Sequence, residues 1–217
     1  MSTHLDREID RLKRRVLGLS AIVEESVGKA ITAIVERNVE LANEVIDEDS
    51  IVDAVEVEIE EECLKILALH QPVALDLRFV IAVLKLNNDL ERIADLAVNI
   101  AQQVEPLMTE GEYPIDVVPM AEKARAMLRN VLDALVEKDS STAERVCAAD
   151  DEVDDMHREV YARVKTLIRR EPARATALIH LLSVSRYLER IADLATNIAE
   201  DVIYMTNGDI IRHRGGV

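Results

Sequence analysis

The chain contains LERIADLAVNIA at residues 90–101 and, 98 positions further on, LERIADLATNIA at residues 188–199. The two stretches differ at one of twelve positions, where Val98 corresponds to Thr196. Similarity within a chain at a fixed spacing indicates an internal structural repeat. The sequence therefore predicts two copies of one structural unit.

The repeated stretch belongs to a helical pattern of apolar residues. In each copy, apolar side chains recur at alternating spacings of four and three, which is typical of a helix packed in a bundle. These seam residues are Leu86, Leu90, Ile93, Ala97, Ile100 and Val104 in the first copy, and Val184, Leu188, Ile191, Ala195, Ile198 and Val202 in the second. We predict an all-α fold of two tandem, sequence-related three-helix bundles.

A polar stretch with one glycine and two prolines separates the two copies and is predicted to be a linker at residues 108–119. The first repeat then covers residues 1–107 and the second covers residues 120–217. The six predicted helices cover residues 5–37, 39–69, 72–104, 120–137, 141–170 and 172–205.

Several helix ends carry local signals. Pro72 and Pro172 are expected in the first turns of the third and sixth helices, where proline is favoured. Ser141 followed by Glu144 fits a capping box at the start of the fifth helix. The sixth helix is expected to stop before Asn207-Gly208.

Composition excludes several classes of function. The formal net charge of −16 disfavours binding to nucleic acids or anionic membranes, which clustered Lys and Arg would require. Only six glycines are present, which argues against phosphate-cradling loops. No apolar run is long enough to span a bilayer and no signal peptide is evident, so we expect a cytoplasmic protein. The isolated Cys63 and Cys147 fit a reducing compartment and are expected to be small core residues.

Carboxylates spaced four residues apart are the residues best suited to chemistry. Like charges at this spacing destabilise a helix by about 0.2–0.5 kcal/mol per pair. A cation bound between the two carboxylates would turn this repulsion into a net attraction. The pairs are Glu91/Asp95 and Glu189/Asp193 within the repeated motif, and Asp49/Asp53 and Asp150/Asp154 on the second and fifth helices. Oxygen ligands suit Mg²⁺, Mn²⁺ or Ca²⁺, and iron and zinc also accept carboxylates. We predict a metal site in each half, at the surface and bridging two helices.

Two other interpretations of these carboxylates remain open. In a solvated scaffold that binds no metal, Arg92 and Arg190 would neutralise the acids three residues further on. Alternatively, Asp154 and His157 resemble half of the carboxylate–histidine motif of di-iron enzymes, although the first half has Glu56 at the equivalent position. A carboxylate-bridged metalloenzyme is therefore the alternative function. The remaining histidines at positions 70, 180 and 213 are expected to be surface or packing residues.

The duplicated motif in an acidic six-helix chain resembles the PhoU family of phosphate-signalling regulators. Further similarity comes from QPVALDLR at residues 71–78 and DVIY at residues 201–204. The second half has EPAR at residues 171–174 in place of a QPVALDLR counterpart, so any role of that segment applies to the first half. The resemblance covers essentially the whole chain.

The resemblance implies a non-enzymatic cytoplasmic adaptor between a phosphate ABC transporter, contacted through its ATPase subunit, and a phosphate-sensing histidine kinase. It implies repression of the phosphate-starvation response in plentiful phosphate, restraint of phosphate uptake, and a homodimer that reaches the membrane only through protein partners. It also implies clusters of metal ions, iron or zinc, on acidic motifs. These motifs correspond here to Asp49, Asp53, Glu91, Asp95, Asp150, Asp154, Glu189 and Asp193.

Overall fold

The structure, a computed structural model, describes residues 3–108 and 114–207. These residues form seven α-helices and one 3₁₀ turn. The helices are α1 (Thr3–Glu36), α2 (Val39–His70), α3 (Ala74–Ala101), α4 (Val104–Leu107), α5 (Val118–Glu137), α6 (Ser140–Arg170) and α7 (Ala175–Asn207), with the 3₁₀ turn at Pro172–Arg174. No strand occurs in the described ranges, and the predicted all-α class is confirmed.

Helices α1, α2 and α3 pack on one another as one three-helix bundle, and α5, α6 and α7 form a second. The short α4 follows α3. The two bundles contact each other mainly through α3 and α7, with a smaller contact between α1 and α5. The helices that carry the repeated motif therefore also join the two halves.

The predicted bundle seam is confirmed, because all twelve seam residues are buried. Leu90 and Leu188, at equivalent positions of the repeat, are both completely buried. Ala97 and Ala195 are also completely buried, as expected where helices approach closely. Burial of apolar surface at roughly 25 cal/mol per Å² is the main force that holds these helices together.

The predicted N-cap at Ser141 is wrong by two residues. Asp139 is the N-cap of α6, and its side chain accepts hydrogen bonds from the backbone N–H groups of Ser141 and Thr142. Aspartate is among the strongest N-cap residues, so it begins the helix at Ser140. Helix α2 is capped in the same way, since the Asn38 side chain accepts a hydrogen bond of 2.9 Å from the N–H of Leu41.

The two prolines lie before their helices, contrary to the prediction. Gln71 ends α2 in a left-handed conformation, with φ of 42°, and Val73 is extended, so the chain reverses direction before α3 begins. Pro72 belongs to this reversal and not to the helix. Pro172 starts the 3₁₀ turn that precedes α7.

The boundaries of the central segment also differ from the prediction. Helix α3 ends at Ala101, three residues earlier than predicted, and the short α4 begins at Val104, where the predicted helix ended. Helix α5 begins at Val118, two residues earlier than predicted, with a proline in its first turn. Within the described ranges, no helix has the length and apolarity that crossing a membrane requires.

Candidate metal-binding clusters

The first-half cluster consists of Asp49 and Asp53 on α2 and Glu91 and Asp95 on α3. Asp49 and Glu91 are half-buried, whereas Asp53 and Asp95 are exposed. The pKa of Glu91 is raised, first by burial and then by repulsion from the carboxylates of Asp95, Asp53, Glu56 and Asp49. The two packed helices thus bring their acidic residues into one electrostatic group at the bundle surface.

Asp49, on α2, is subject to repulsion from the same group of carboxylates. Its pKa is raised by burial, by Asp53 on its own helix, and by Asp95 across the helix interface. Each ionised carboxylate makes ionisation of its neighbours less favourable. The cluster is therefore under mutual repulsion that a cation between α2 and α3 would relieve.

The second-half cluster consists of Asp150 and Asp154 on α6 and Glu189 and Asp193 on α7. Burial, together with the charges of Asp193 and Asp154, raises the pKa of Asp150 to about 6. The pKa values of Glu189 and Asp193 are also raised, in each case mainly by burial and then by neighbouring carboxylates. Both halves of the repeat thus present the same arrangement of crowded carboxylates.

Arginines affect the two clusters differently. In the second half, the positive charge of Arg190 acts to lower the pKa of Glu189 and Asp193, so it offsets part of the increase that burial and the neighbouring carboxylates cause. In the first half, Arg92 lies 3.5 Å from the carboxylate of Asp89. The predicted pairing of Arg92 with Asp95 is therefore wrong, because Arg92 turns toward the acid that precedes it.

A polar contact between the two helices adjoins each cluster, and its chemistry differs between the halves. In the first half, the Asn87 amide on α3 donates to the backbone oxygen of Glu56 at 2.9 Å and to its carboxylate at 3.1 Å. In the second half, the equivalent positions hold His157 and Ser185, whose Nδ1 and Oγ lie 3.0 Å apart. The first half thus has an amide–carboxylate contact at the position where the second half has an imidazole–hydroxyl contact.

The hydrogen bonds of Ser185 determine which ring nitrogen of His157 carries the proton. The Ser185 hydroxyl donates its proton to the Leu182 carbonyl oxygen at 2.9 Å. The Nδ1–H of His157 must then be the donor toward Ser185, which leaves the Nε2 lone pair available as an acceptor or metal ligand. Burial lowers the pKa of His157, which favours this neutral form.

The donor atoms of both clusters suit a cation, but the described side chains do not enclose one. Within residues 3–108 and 114–207, no three His, Cys, Asp or Glu side chains converge closely enough to hold a metal ion. Asp150 Oδ1 and Thr196 Oγ1 are nevertheless buried without a hydrogen-bond partner at regular geometry. The Thr196 hydroxyl still interacts with Asp150 and lowers its pKa, so the carboxylate has one weak neighbour, to which a bound cation would add a stronger one. Binding there requires changes of side-chain rotamer or water molecules as additional ligands.

Sequence reasoning missed three residues beside the clusters: Asn87, Ser185 and Thr196. Thr196 had a visible signal, because it is the single difference within the repeated motif. Asn87 and Ser185 had none, since their importance depends on a contact with a residue of another helix.

Of the other residues that the sequence singled out, the two cysteines belong to the packed interior and His180 makes a polar contact. Cys63 is buried in the core and Cys147 packs against it. The His180 Nδ1 lies 2.8 Å from Gln103 Oε1, a contact that joins the two halves of the chain. His213 lies outside the described residues.

Comparison with known proteins assigns both halves to one family. Residues 16–104 and residues 117–202 each match the PhoU domain. The chain is 34% identical over 218 residues to the phosphate-specific transport system accessory protein PhoU homolog of Pseudomonas putida, covering 99% of this chain and 85% of that protein. It is 35% identical over 212 residues to the protein of the same name from Aquifex aeolicus, covering 97% and 96%.

Solved structures show the same architecture. PhoU from Pseudomonas aeruginosa superimposes with a TM-score of 0.91 at 33% identity, covering 94% of this chain and 99% of that one. The phosphate transport system regulatory protein PhoU from Streptococcus pneumoniae gives a TM-score of 0.85 at 29% identity, covering 95% and 99%.

Proposed function

Because the chain belongs to the PhoU family, we propose that it is an accessory protein of a phosphate transport system that regulates phosphate uptake. The observation that carries this proposal is the extent of the similarity. Both repeats match, and nearly the whole of the chain aligns with nearly the whole of the Aquifex aeolicus protein. The relatives are named as accessory or regulatory proteins, which supports a regulatory role in preference to catalysis.

The finer proposal is that the chain is a cytoplasmic adaptor. It contacts the ATPase subunit of a phosphate ABC transporter and a phosphate-sensing histidine kinase, acts as a homodimer, and represses the phosphate-starvation response when phosphate is plentiful. The net charge of −16 supports contact with the membrane through proteins, since anionic lipids repel an acidic surface. The family resemblance is the warrant for the identity of these two partners.

A deletion strain that carries an alkaline-phosphatase reporter tests this adaptor role. We expect the reporter to be active in high phosphate without the gene and silent again after complementation. A reporter that stays silent in the deletion strain contradicts the repressor role. If the purified protein in addition hydrolyses a phosphate ester when metal is added, the metalloenzyme alternative replaces it.

We propose in addition that each acidic cluster holds metal ions, iron or zinc being the first choices and Mg²⁺, Mn²⁺ or Ca²⁺ the others. The first-half cluster would hold them between α2 and α3, and the second-half cluster between α6 and α7. A bound cation supplies positive charge that neutralises the crowded carboxylates and links the two helices. The raised pKa values of Glu91 and Asp150, and the buried Asp150 oxygen that has no hydrogen bond of regular geometry, support this proposal.

Elemental analysis of protein purified without chelator tests the metal proposal. The double variant Asp95→Asn/Asp193→Asn should lose most of its metal while keeping its helical circular dichroism signal. A matched control is Asp6→Asn/Asp133→Asn, because these two exposed aspartates lie on α1 and α5, outside both clusters. Equal metal content in the two double variants would refute the assignment.

Removal of the metal should also lower the melting temperature, because an ion that binds only the native state stabilises it by RT ln(1 + [L]/Kd). The measurement is a thermal melt with and without chelator. An unchanged melting temperature would favour the solvated scaffold.

A further inference from the structure

A groove lies on the face of the molecule where α1 and α3 meet the C-terminal ends of α5 and α7, the last of which contributes Val202, Met205 and Thr206. It consists of two adjoining cavities of about 270 and 90 Å³ that share Lys13, Phe79, Leu135 and Lys138. We call this surface the α1–α3 groove. None of the eight cluster carboxylates lines it, so it is separate from the candidate metal sites.

The floor and rim of the α1–α3 groove are largely apolar. Val16, Val83 and Leu86 line its floor. On the rim, Leu17 is 36% exposed, Val136 is 56% exposed and Leu75 is 69% exposed. Large apolar side chains that line a concavity and remain in contact with water are typical of a binding surface.

The length of the groove matches a short helix. Its lining residues on α1 extend from Ile9 to Leu17, and those on α3 extend from Leu75 to Leu86. At 1.5 Å per residue, these segments are about 12 and 16 Å long, which corresponds to two to three turns of an α-helix. Such grooves commonly bind the apolar face of an amphipathic helix.

The charge of the groove differs from that of the rest of the molecule. Lys13 and Lys138 line both cavities, on a chain with a net charge of −16. The Lys13 Nζ lies 5.5 Å from the centre of the Phe79 ring and 3.5 Å from the carboxylate of Asp10. Asp76 lines the larger cavity only. Two lysines beside an apolar floor favour acidic residues on the flanks of an apolar ligand face.

We propose that the α1–α3 groove is the docking site for an amphipathic helix of a partner protein, with acidic residues flanking its apolar face. This deepens the proposed function, because it locates the partner surface of the adaptor and gives the chemistry of the partner segment. The chain's own last ten residues fit less well, since Arg212 and Arg214 would meet Lys13 and Lys138.

Fluorescence anisotropy with two synthetic peptides tests the proposal on the full-length chain. The first probe is a labelled 14-residue helix with leucines at helical spacing on one face and glutamates on its flanks, and the second has lysines in place of the glutamates. We expect the glutamate peptide to bind at least about tenfold more tightly than the lysine peptide. Absence of saturable binding by the glutamate peptide overturns the proposal.

Two pairs of variants locate the binding to the groove. Lys13→Glu/Lys138→Glu should weaken binding of the glutamate peptide by about tenfold or more, whereas Lys65→Glu/Lys165→Glu, which changes exposed lysines on other faces, should not. Val136→Asp should weaken it, while Ile179→Asp, at a residue 54% exposed elsewhere, should not. Circular dichroism confirms that each variant is folded. Equal effects of the groove and control variants overturn the proposal.

Two further results would assign the groove to another occupant and overturn the proposal. If the full-length chain binds neither peptide and the chain without residues 208–217 does, the chain's own end covers the groove. If Lys13→Glu/Lys138→Glu changes the oligomeric state in analytical ultracentrifugation, a second copy covers it. Because none of these measurements uses phosphate or the reporter strain, their failure leaves the proposed regulatory function to its own test.

Discussion

The two acidic clusters occupy equivalent positions of the repeat, but different polar groups surround them. The first-half cluster adjoins an amide–carboxylate contact between Asn87 and Glu56. The second-half cluster adjoins an imidazole–hydroxyl contact between His157 and Ser185. The second half also has the Thr196 hydroxyl where the first half has the Val98 side chain.

The packing of the helical seam is alike in the two halves, whereas the polar groups beside the carboxylates differ between them. The helical seam has the same burial in both halves, because each residue must fill the same space between helices. Asn87 and Ser185 beside the carboxylates are buried as well. Each needs only a polar partner on the neighbouring helix, however, which Glu56 supplies in one half and His157 in the other. We therefore expect equal core energetics and unequal titration of the two clusters.

Removal of core volume should have the largest effect and should be similar in the two halves. Leu90→Ala and Leu188→Ala each empty a completely buried site, and each should lower the free energy of unfolding by about 2–5 kcal/mol. Urea unfolding followed by circular dichroism measures both. Leu64→Ala, at a residue 53% exposed on α2, is the control and should cost much less.

A difference larger than about 2 kcal/mol between Leu90→Ala and Leu188→Ala would contradict the equivalence of the two bundles. Two separate unfolding transitions would instead show that the bundles unfold independently in spite of the contact between α3 and α7.

Asp150→Asn should reveal the asymmetry between the clusters. The native pKa of Asp150 is about 6, above its usual value, so ionisation of this group opposes folding. Below pH 4 Asp150 is largely protonated in both the native and the unfolded state, so it does not affect the free energy of unfolding. As the pH rises from about 4 to about 6, ionisation of Asp150 should lower the free energy of unfolding. Because water screens this half-buried group, we expect Asp150→Asn to stabilise the chelator-treated protein by about 1–2 kcal/mol at pH 7.5.

The matched first-half variant is Asp49→Asn. The pKa of Asp49 is also raised, so the direction is the same, but we expect a smaller gain at pH 7.5. Urea unfolding from pH 4 to pH 8 measures both variants. A gain from Asp150→Asn that is independent of pH would contradict the assigned titration.

The contact between His157 and Ser185 should have a moderate, measurable energy. A double-mutant cycle of His157→Ala and Ser185→Ala at pH 8 should give a coupling of about 0.5–1.5 kcal/mol, typical of one hydrogen bond. The pKa of His157 is lowered, so the stability that depends on its neutral form should be lost as the pH falls through 6.5. A coupling near zero at pH 8 would show that the 3.0 Å contact contributes nothing to stability.

The helices and the core were predictable from the sequence because they depend on local periodicity. The spacing of Leu90, Ile93 and Ala97 is enough to identify a buried face, and the repeat doubles that signal. Helix ends were less predictable, since Asp139 competes with Ser141 for the same cap and only the backbone geometry decides between them.

The neighbours of the clusters depend on contacts between helices, which a single sequence does not contain. That Glu91 and Asp95 share a face follows from helical geometry, but the repulsion from Asp49 and Asp53 depends on how α2 packs against α3. The direction of Arg92 toward Asp89 was equally hidden, because acids lie three positions away on both sides of Arg92.

The smallest expected effect comes from exchanging the one residue that differs within the repeated motif. Interaction with the Thr196 hydroxyl lowers the pKa of Asp150, so Thr196→Val should raise that pKa by less than about one unit. The same substitution removes a buried hydroxyl that lacks a regular hydrogen-bond partner, which favours folding. At pH 7.5 the two effects oppose each other, whereas at pH 4 Asp150 is protonated and only the gain remains. Thr196→Val should therefore stabilise the protein more at pH 4 than at pH 7.5, by under about 1 kcal/mol.

Carbon-13 NMR titration of the Asp150 carboxyl and urea unfolding at both pH values measure these changes. The reciprocal Val98→Thr should lower the pKa of Asp49, and an unchanged Asp49 titration would show that the halves differ by more than this one side chain.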